Sequence, residues 1–185
     1  ASHCSRIIQG EWNAKLESYD EKGVYWKNSV ASMKEAAKVF EDYEVFFNVE
    51  VVNRFENFLI NCCEEVLQYL SEVGSSHVGI HLDTFHMNIE ENSMVEAILN
   101  AGEKLRNFHI GENNRKFPGL GTMPWKTIFD TLKAIDYSHP ITMEPFVKPG
   151  GEVGAAVSLY RELMDTRDYD EDIRNALTFV KNLMK

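Results

Sequence analysis

The chain has 185 residues, 44% of them hydrophobic and 26% charged, a composition typical of soluble globular proteins and a length that suits one domain with its own core. Acidic residues outnumber basic ones by 29 to 19, a formal charge of −10, so the basic face that a nucleic-acid binder uses to replace counterions is missing. The longest apolar stretches, such as VFF at 45–47, fall far short of the roughly 20 residues that cross a bilayer, so no membrane partner is expected.

The first 28 residues carry little periodic signal. No charged-then-apolar leader precedes the first helix, and Cys4, Cys62 and Cys63 form neither a disulfide framework nor a CxxC metal spacing. A reducing cytoplasm is the expected location. Val30, Met33, Ala37 and Phe40 recur at helical spacing and lead into EVFFNVEVV, a β-rich run over 45–52. NCCEEVLQYLSEVG (61–74) predicts a second helix, capped by Asn61 and stopped by Gly74, followed by the strand HVGIHLD.

The same unit then repeats. Ser93 caps MVEAILNA, Gly102 ends it, and LRNFHI (105–110) reads as a strand. After the loop GENNRKFPGLGTM, Pro124 opens the helix WKTIFDTLKAI, and ITMEPF (141–146) is the last strand. Two helices, over 154–164 and 170–185, close the chain, the second amphipathic through Ile173, Ala176, Phe179 and Leu183. Four strands alternating with helices, without hairpin signals, predict βαβ units and parallel pairing, an α/β fold in one domain with no linker.

Each strand carries a metal-competent side chain at or near its carboxyl end: Glu50, Asp83, His109 and Glu144. In parallel α/β architectures the last side chains of the strands converge beyond those ends, where ligands bind. A buried carboxylate must be paired, hydrogen-bonded or metal-bound. Three acids and one imidazole form an oxygen-rich set that favours Mn²⁺, with Mg²⁺ or Co²⁺ possible, over thiolate-preferring metals. Singly, each residue also has a bland role: Glu50 as a partner of Arg54, Asp83 as a helix N-cap, His109 as a core histidine, Glu144 as an acceptor for a loop N–H. Four strands carrying the same device favour the joint reading.

The stretches EVVNRFE (50–56), LDTFHMNIEE (82–91), HIGENNRKFPGLGTMPW (109–125) and MEPFVKPGGEVG (143–154) resemble the D-tagatose 3-epimerase and D-psicose (allulose) 3-epimerase family. These are ketose 3-epimerases built on a (β/α)₈ TIM barrel of the xylose-isomerase-like type. The likeness runs from about Ser29 to the end, and Trp12 matches a tryptophan that the family carries after its fourth strand. It implies that Glu50, Asp83, His109 and Glu144 bind one divalent metal, usually manganese, and that Glu50 and Glu144 exchange the proton at C3. It also implies substrate contacts by Glu56, His86 and Arg115, with His86 reaching in from a loop, and a homodimer or homotetramer acting on free ketohexoses.

Two positions depart from that pattern. His81 and Asn107, two residues before Asp83 and His109, should point the same way as those ligands by strand alternation, and the family often has other side chains there. A full barrel needs roughly 250 residues, so residues 1–185 are expected to supply only the C-terminal half, inactive until joined to the rest. Its lone sheet would otherwise expose two strand edges. The strings NRFE, DTFHMN and MEPF weigh against another sugar isomerase of the same fold, and the charge weighs against an endonuclease. Retention of both Glu50 and Glu144 weighs against a noncatalytic sugar- or metal-binding module.

Overall fold

The computed structural model describes residues 16–165 and 168–185, so the readings made for Cys4 and Trp12 lie outside the described residues. Four strands, β1 (Phe47–Glu50), β2 (Val78–Asp83), β3 (Leu105–Ile110) and β4 (Ile141–Met143), form one sheet in the order β1-β2-β3-β4. Every pairing is parallel. Helices fill the connections: α1 (Lys22–Asp42), α2 (Cys63–Val73), α3 (Thr84–Glu90), α4 (Met94–Ala101), α5 (Trp125–Ala134), α6 (Gly151–Ala156) and α7 (Tyr169–Met184).

Strand alternation divides the sheet into two faces. Val49, Ile80, Leu82, Phe108 and Ile110 point to the helices and are almost fully buried. They meet Val66 and Tyr69 of α2, Ile98 of α4 and Ile128 and Phe129 of α5 in one core, where each large apolar side chain withdrawn from water contributes about 2 kcal/mol. The helices pack side by side, α1 on α2, α2 on α4, α4 on α5 and α5 on α7. The opposite face carries Glu50, His81, Asp83, Asn107 and His109. Among the described residues no helix is long and apolar enough to cross a membrane.

Several local expectations change. The helix expected over 154–164 ends at Ala156, because Ser158 takes a left-handed φ of 56°, Ser158 N–H donates to Ala155 O and Leu159 N–H donates to Gly154 O. This is the bond pattern of a Schellman stop, formed here without glycine. Asn61 does not cap α2. Its amide Nδ2 donates to Val52 O and Asn57 O, while the Cys63 N–H is taken by Glu91 Oε1 at 2.7 Å. Residues 84–90, expected as loop, form α3, so His86 stands on a helix rather than in a loop. The first and last strands are shorter than the apolar runs that predicted them. Ser93 caps α4, accepting from Glu96 N–H, and Gly74 ends α2 in the left-handed conformation, as their residue types imply. Cys62 and Cys63 are free thiols, and the buried Cys63 Sγ donates to Ala97 O.

Candidate metal centre

Each βα unit delivers one side chain to the same place. Glu50 ends β1, Asp83 ends β2, His109 is the penultimate residue of β3, and Glu144 follows β4 with its N–H still donating to Ile110 O. One donor atom from each of the four lies within 4.8 Å of all the others. His109 Nδ1 is 3.5 Å from Glu144 Oε2, 3.9 Å from Asp83 Oδ2 and 4.0 Å from Glu50 Oε1.

Asp83 uses its two oxygens differently. Oδ1 accepts the Phe85 N–H at 2.7 Å and so caps α3, while Oδ2 is buried and makes no hydrogen bond. His109 Nδ1 is likewise buried without one. Two orphaned acceptor-type atoms among three carboxylates is the arrangement a divalent cation satisfies, and the donor set fits a hard or borderline ion. A second group, Glu50, His81 and His109, is also close enough to hold an ion. His81 lies wholly buried with Nδ1 3.8 Å from Glu50 Oε2, and its ring meets that of His109 edge to face at 3.9 Å.

The electrostatics reflect crowding of like charge. Burial, reinforced by the charges of Asp83 and Glu144, pushes Glu50 up to about 7. Burial also raises Asp83, although Arg115 beside it pulls the other way. His109 is lowered by burial but raised more by Glu144, Asp83 and Glu50, so it ends above its ordinary value. Glu144 is raised by burial but lowered more by His109 and Arg115, so it ends below the usual range. Without a cation the two glutamates are therefore shifted in opposite directions, Glu50 upward by burial and Glu144 downward by His109 and Arg115.

Around this cluster the remaining expected residues line a cleft of about 700 Å³ together with Phe146. Arg115 Nη2 donates to Glu56 Oε1 at 3.2 Å, and its Nη1 lies 3.7 Å from Asp83 Oδ2 and 3.6 Å from Glu144 Oε2. Its guanidinium carbon sits 3.6 Å above the Phe85 ring and 5.0 Å from that of Phe146, a stacked, planar setting that suits arginine rather than lysine. His86 Nδ1 accepts the Asn53 N–H at 3.2 Å, which leaves the ring proton on Nε2. All seven expected site residues thus meet at one end of the sheet.

Three supporting residues escaped the sequence reading. Asn53 ties the ring of His86 to Glu56, donating from Nδ2 to Glu56 Oε1 at 3.0 Å, and its Oδ1 accepts the Phe55 and Glu56 N–H groups. Its signal was only that of a common turn residue. Thr84 Oγ1, fully buried, donates to Gly111 O and accepts from Gly111 N–H, joining the start of α3 to the end of β3. Glu112, also fully buried, holds the loop that carries Arg115.

The chain is similar to known proteins over most of its length. A D-psicose 3-epimerase of Enterocloster bolteae is 41% identical over 158 residues, 84% of this chain and 52% of that protein. One of Agrobacterium fabrum is 43% identical over 175 residues, 93% of this chain and 61% of that protein. The solved D-psicose 3-epimerase of Clostridium cellulolyticum H10 with D-tagatose superposes with a TM-score of 0.89 at 41% identity, covering 94% of this chain and 61% of that one. The chain therefore spans about half to three fifths of the length of the relatives it matches. The profile of the xylose isomerase-like TIM barrel family matches residues 4–174, and with four parallel strands delivering one cluster of ligand-type side chains, the chain belongs to that family.

Proposed function

We propose that this chain supplies the metal- and proton-handling half of a ketose 3-epimerase, interconverting C3 epimers of free ketohexoses such as D-psicose and D-fructose or D-tagatose and D-sorbose. In this reading residues 1–185 form one domain, the C-terminal part of the barrel, in a soluble cytoplasmic homodimer or homotetramer. One observation carries the proposal. Glu50 and Glu144 come from the two outermost strands of the sheet, with Asp83 and His109 between them.

A divalent cation held by Glu50, Asp83, His109 and Glu144, Mn²⁺ by preference and Co²⁺ or Mg²⁺ as alternatives, would supply Lewis-acid stabilisation of the negative charge developing at O2 and O3. The hydrogen at C3 is acidified by the neighbouring C2 carbonyl. One glutamate removes it, and the other, reaching from the opposite strand, delivers a proton to the other face of the enediolate. In the reverse direction the two exchange roles. Arg115, whose Nη1 makes no hydrogen bond among the described residues, offers donors to a sugar oxygen, and Glu56 and His86 complete the grip on the hydroxyl groups. Phe85 and Phe146 flank the guanidinium and limit where it can turn.

The test is incorporation of deuterium from D₂O at C3 of D-fructose and D-tagatose by the manganese-loaded chain joined to the missing N-terminal half of the barrel. Exchange should depend on the metal, and Glu144→Gln or Glu50→Gln should slow it by about a hundredfold or more, the usual loss on removing a general acid or base. Metal-independent exchange, or full exchange by both variants, would remove the reading. Sugar binding without any exchange would make the chain a binding module instead.

A further inference from the structure

The loop between β3 and α5 is organised around one carboxylate. Glu112 is wholly buried, and its Oε1 accepts the Gly119 N–H at 2.7 Å and the Trp125 indole N–H at 2.6 Å. Its Oε2 accepts the Met123 N–H at 3.1 Å. A methyl group on Gly121 would overlap Oε2 and Asn113 Oδ1, so the loop closes on the carboxylate with only glycine's clearance. Arg115 sits within this closed loop in the left-handed region, φ 62°, where a non-glycine residue is held only by its surroundings. Its N–H donates to Glu112 O at 2.9 Å, and its own carbonyl accepts the Phe146 N–H at 2.8 Å, two residues past Glu144.

We infer that Glu112 is a positioning residue: its carboxylate gathers the Gly119, Met123 and Trp125 N–H groups and thereby holds the Arg115 guanidinium against Glu56, Asp83 and Glu144. The inference rests on the epimerase reading for its kinetic consequence, not for its geometry. Glu112 has no direct route to a substrate, because it is wholly buried and its carboxylate bonds are to the loop and to the first residue of α5. Charge-assisted bonds to three separate donors are hard to imitate. A glutamine of the same shape must set its amide N–H groups against either Met123 N–H or the Gly119 and Trp125 pair, so the loop is freed on one side.

The decisive experiment is a double-mutant cycle on the manganese-loaded chain joined to the missing N-terminal half of the barrel, with Glu112→Gln and Arg115→Ala and D-fructose as the substrate. Glu112→Gln alone should raise KM about tenfold with kcat changed about twofold at most, the mark of lost ground-state positioning. It should not lower the manganese affinity, since the loop carboxylate bonds none of the four ligand-type residues and release of the Arg115 cation from beside Asp83 and Glu144 only favours a bound ion. In the Arg115→Ala background it should have no further effect. Equal effects of Glu112→Gln with and without Arg115 would overturn the proposal, as would a fall in manganese affinity matching the rise in KM. Should Glu112→Gln fail to fold, Trp125→Phe removes one of the three donors and must show the same dependence on Arg115. If the completed barrel turns over no ketose, the epimerase reading fails, and the positioning role is read from the Arg115 Nη2–H signal in ¹⁵N NMR, the group that donates to Glu56 Oε1. Collapse of that signal into rapid guanidinium rotation in Glu112→Gln supports the role, and an unchanged signal refutes it.

Discussion

Glu50→Gln should make the metal-free protein more stable at neutral and alkaline pH. The folded chain raises the Glu50 carboxyl from an ordinary 4.5 to about 7, chiefly through burial, and the side chain is only 8% exposed, so solvent screens little of that effect. A group whose folded-state value is raised contributes stability that is complete below its unfolded value and is lost as pH climbs through the folded one. The window here runs from about pH 4.5 to about pH 7, and the loss is about 3 kcal/mol. Asp83 and His109, both raised, act in the same direction, whereas Glu144, lowered, opposes them by adding stability above its folded value. Because the four groups interact, the losses do not add, and about 3 kcal/mol stands as the net scale. Glutamine reproduces the protonated acid, so in EDTA at pH 8 the variant should exceed the wild type by about that amount, while at pH 4 the two should coincide. Urea unfolding at both pH values reads the difference. A variant that is equal to or weaker than the wild type at pH 8 in EDTA would refute the account of Glu50 as a carboxylate destabilised by burial. In manganese the order should reverse, since the cation takes over the role of the protons.

Other changes separate roles that one residue combines. Asp83→Asn preserves an N-cap acceptor but weakens metal binding, whereas Asp83→Ala loses both. Unfolding in EDTA should therefore place the alanine variant about 1 kcal/mol below the asparagine variant, while calorimetric titration with Mn²⁺ shows both impaired. Thr84→Val leaves the buried Gly111 N–H and carbonyl without their shared hydroxyl and should cost about 2 kcal/mol or more by urea unfolding, with amide exchange rising at Gly111.

Strand β2 and its ligand were legible because burial along its whole length forces an apolar run, and the acid at the end of VGIHLD is conspicuous against it. The cap of α4 was legible because Ser93 acts on its own helix. The cap of α2 was not: Cys63 is served by Glu91, on a segment that folding brings alongside. Helix α3 is too short to display a period. The stop at Ser158 is a matter of backbone handedness that its hydroxyl does not advertise. Glu112 looked like an acid in a turn, since two of its three donors are backbone N–H groups that no side-chain pattern reveals.

The division of labour within Asp83 bears on which ion the site can accept. Its Oδ1 accepts the N–H that caps the first turn of α3, so a cation bound through both oxygens would share Oδ1 with that cap on the helix that carries His86. Binding through Oδ2 alone avoids the competition. Ions that depend on seven or eight oxygens and on bidentate carboxylates are served poorly there, while small ions content with six ligands meet no such conflict. A backbone hydrogen bond that itself never touches the ion thus weighs against calcium at this position.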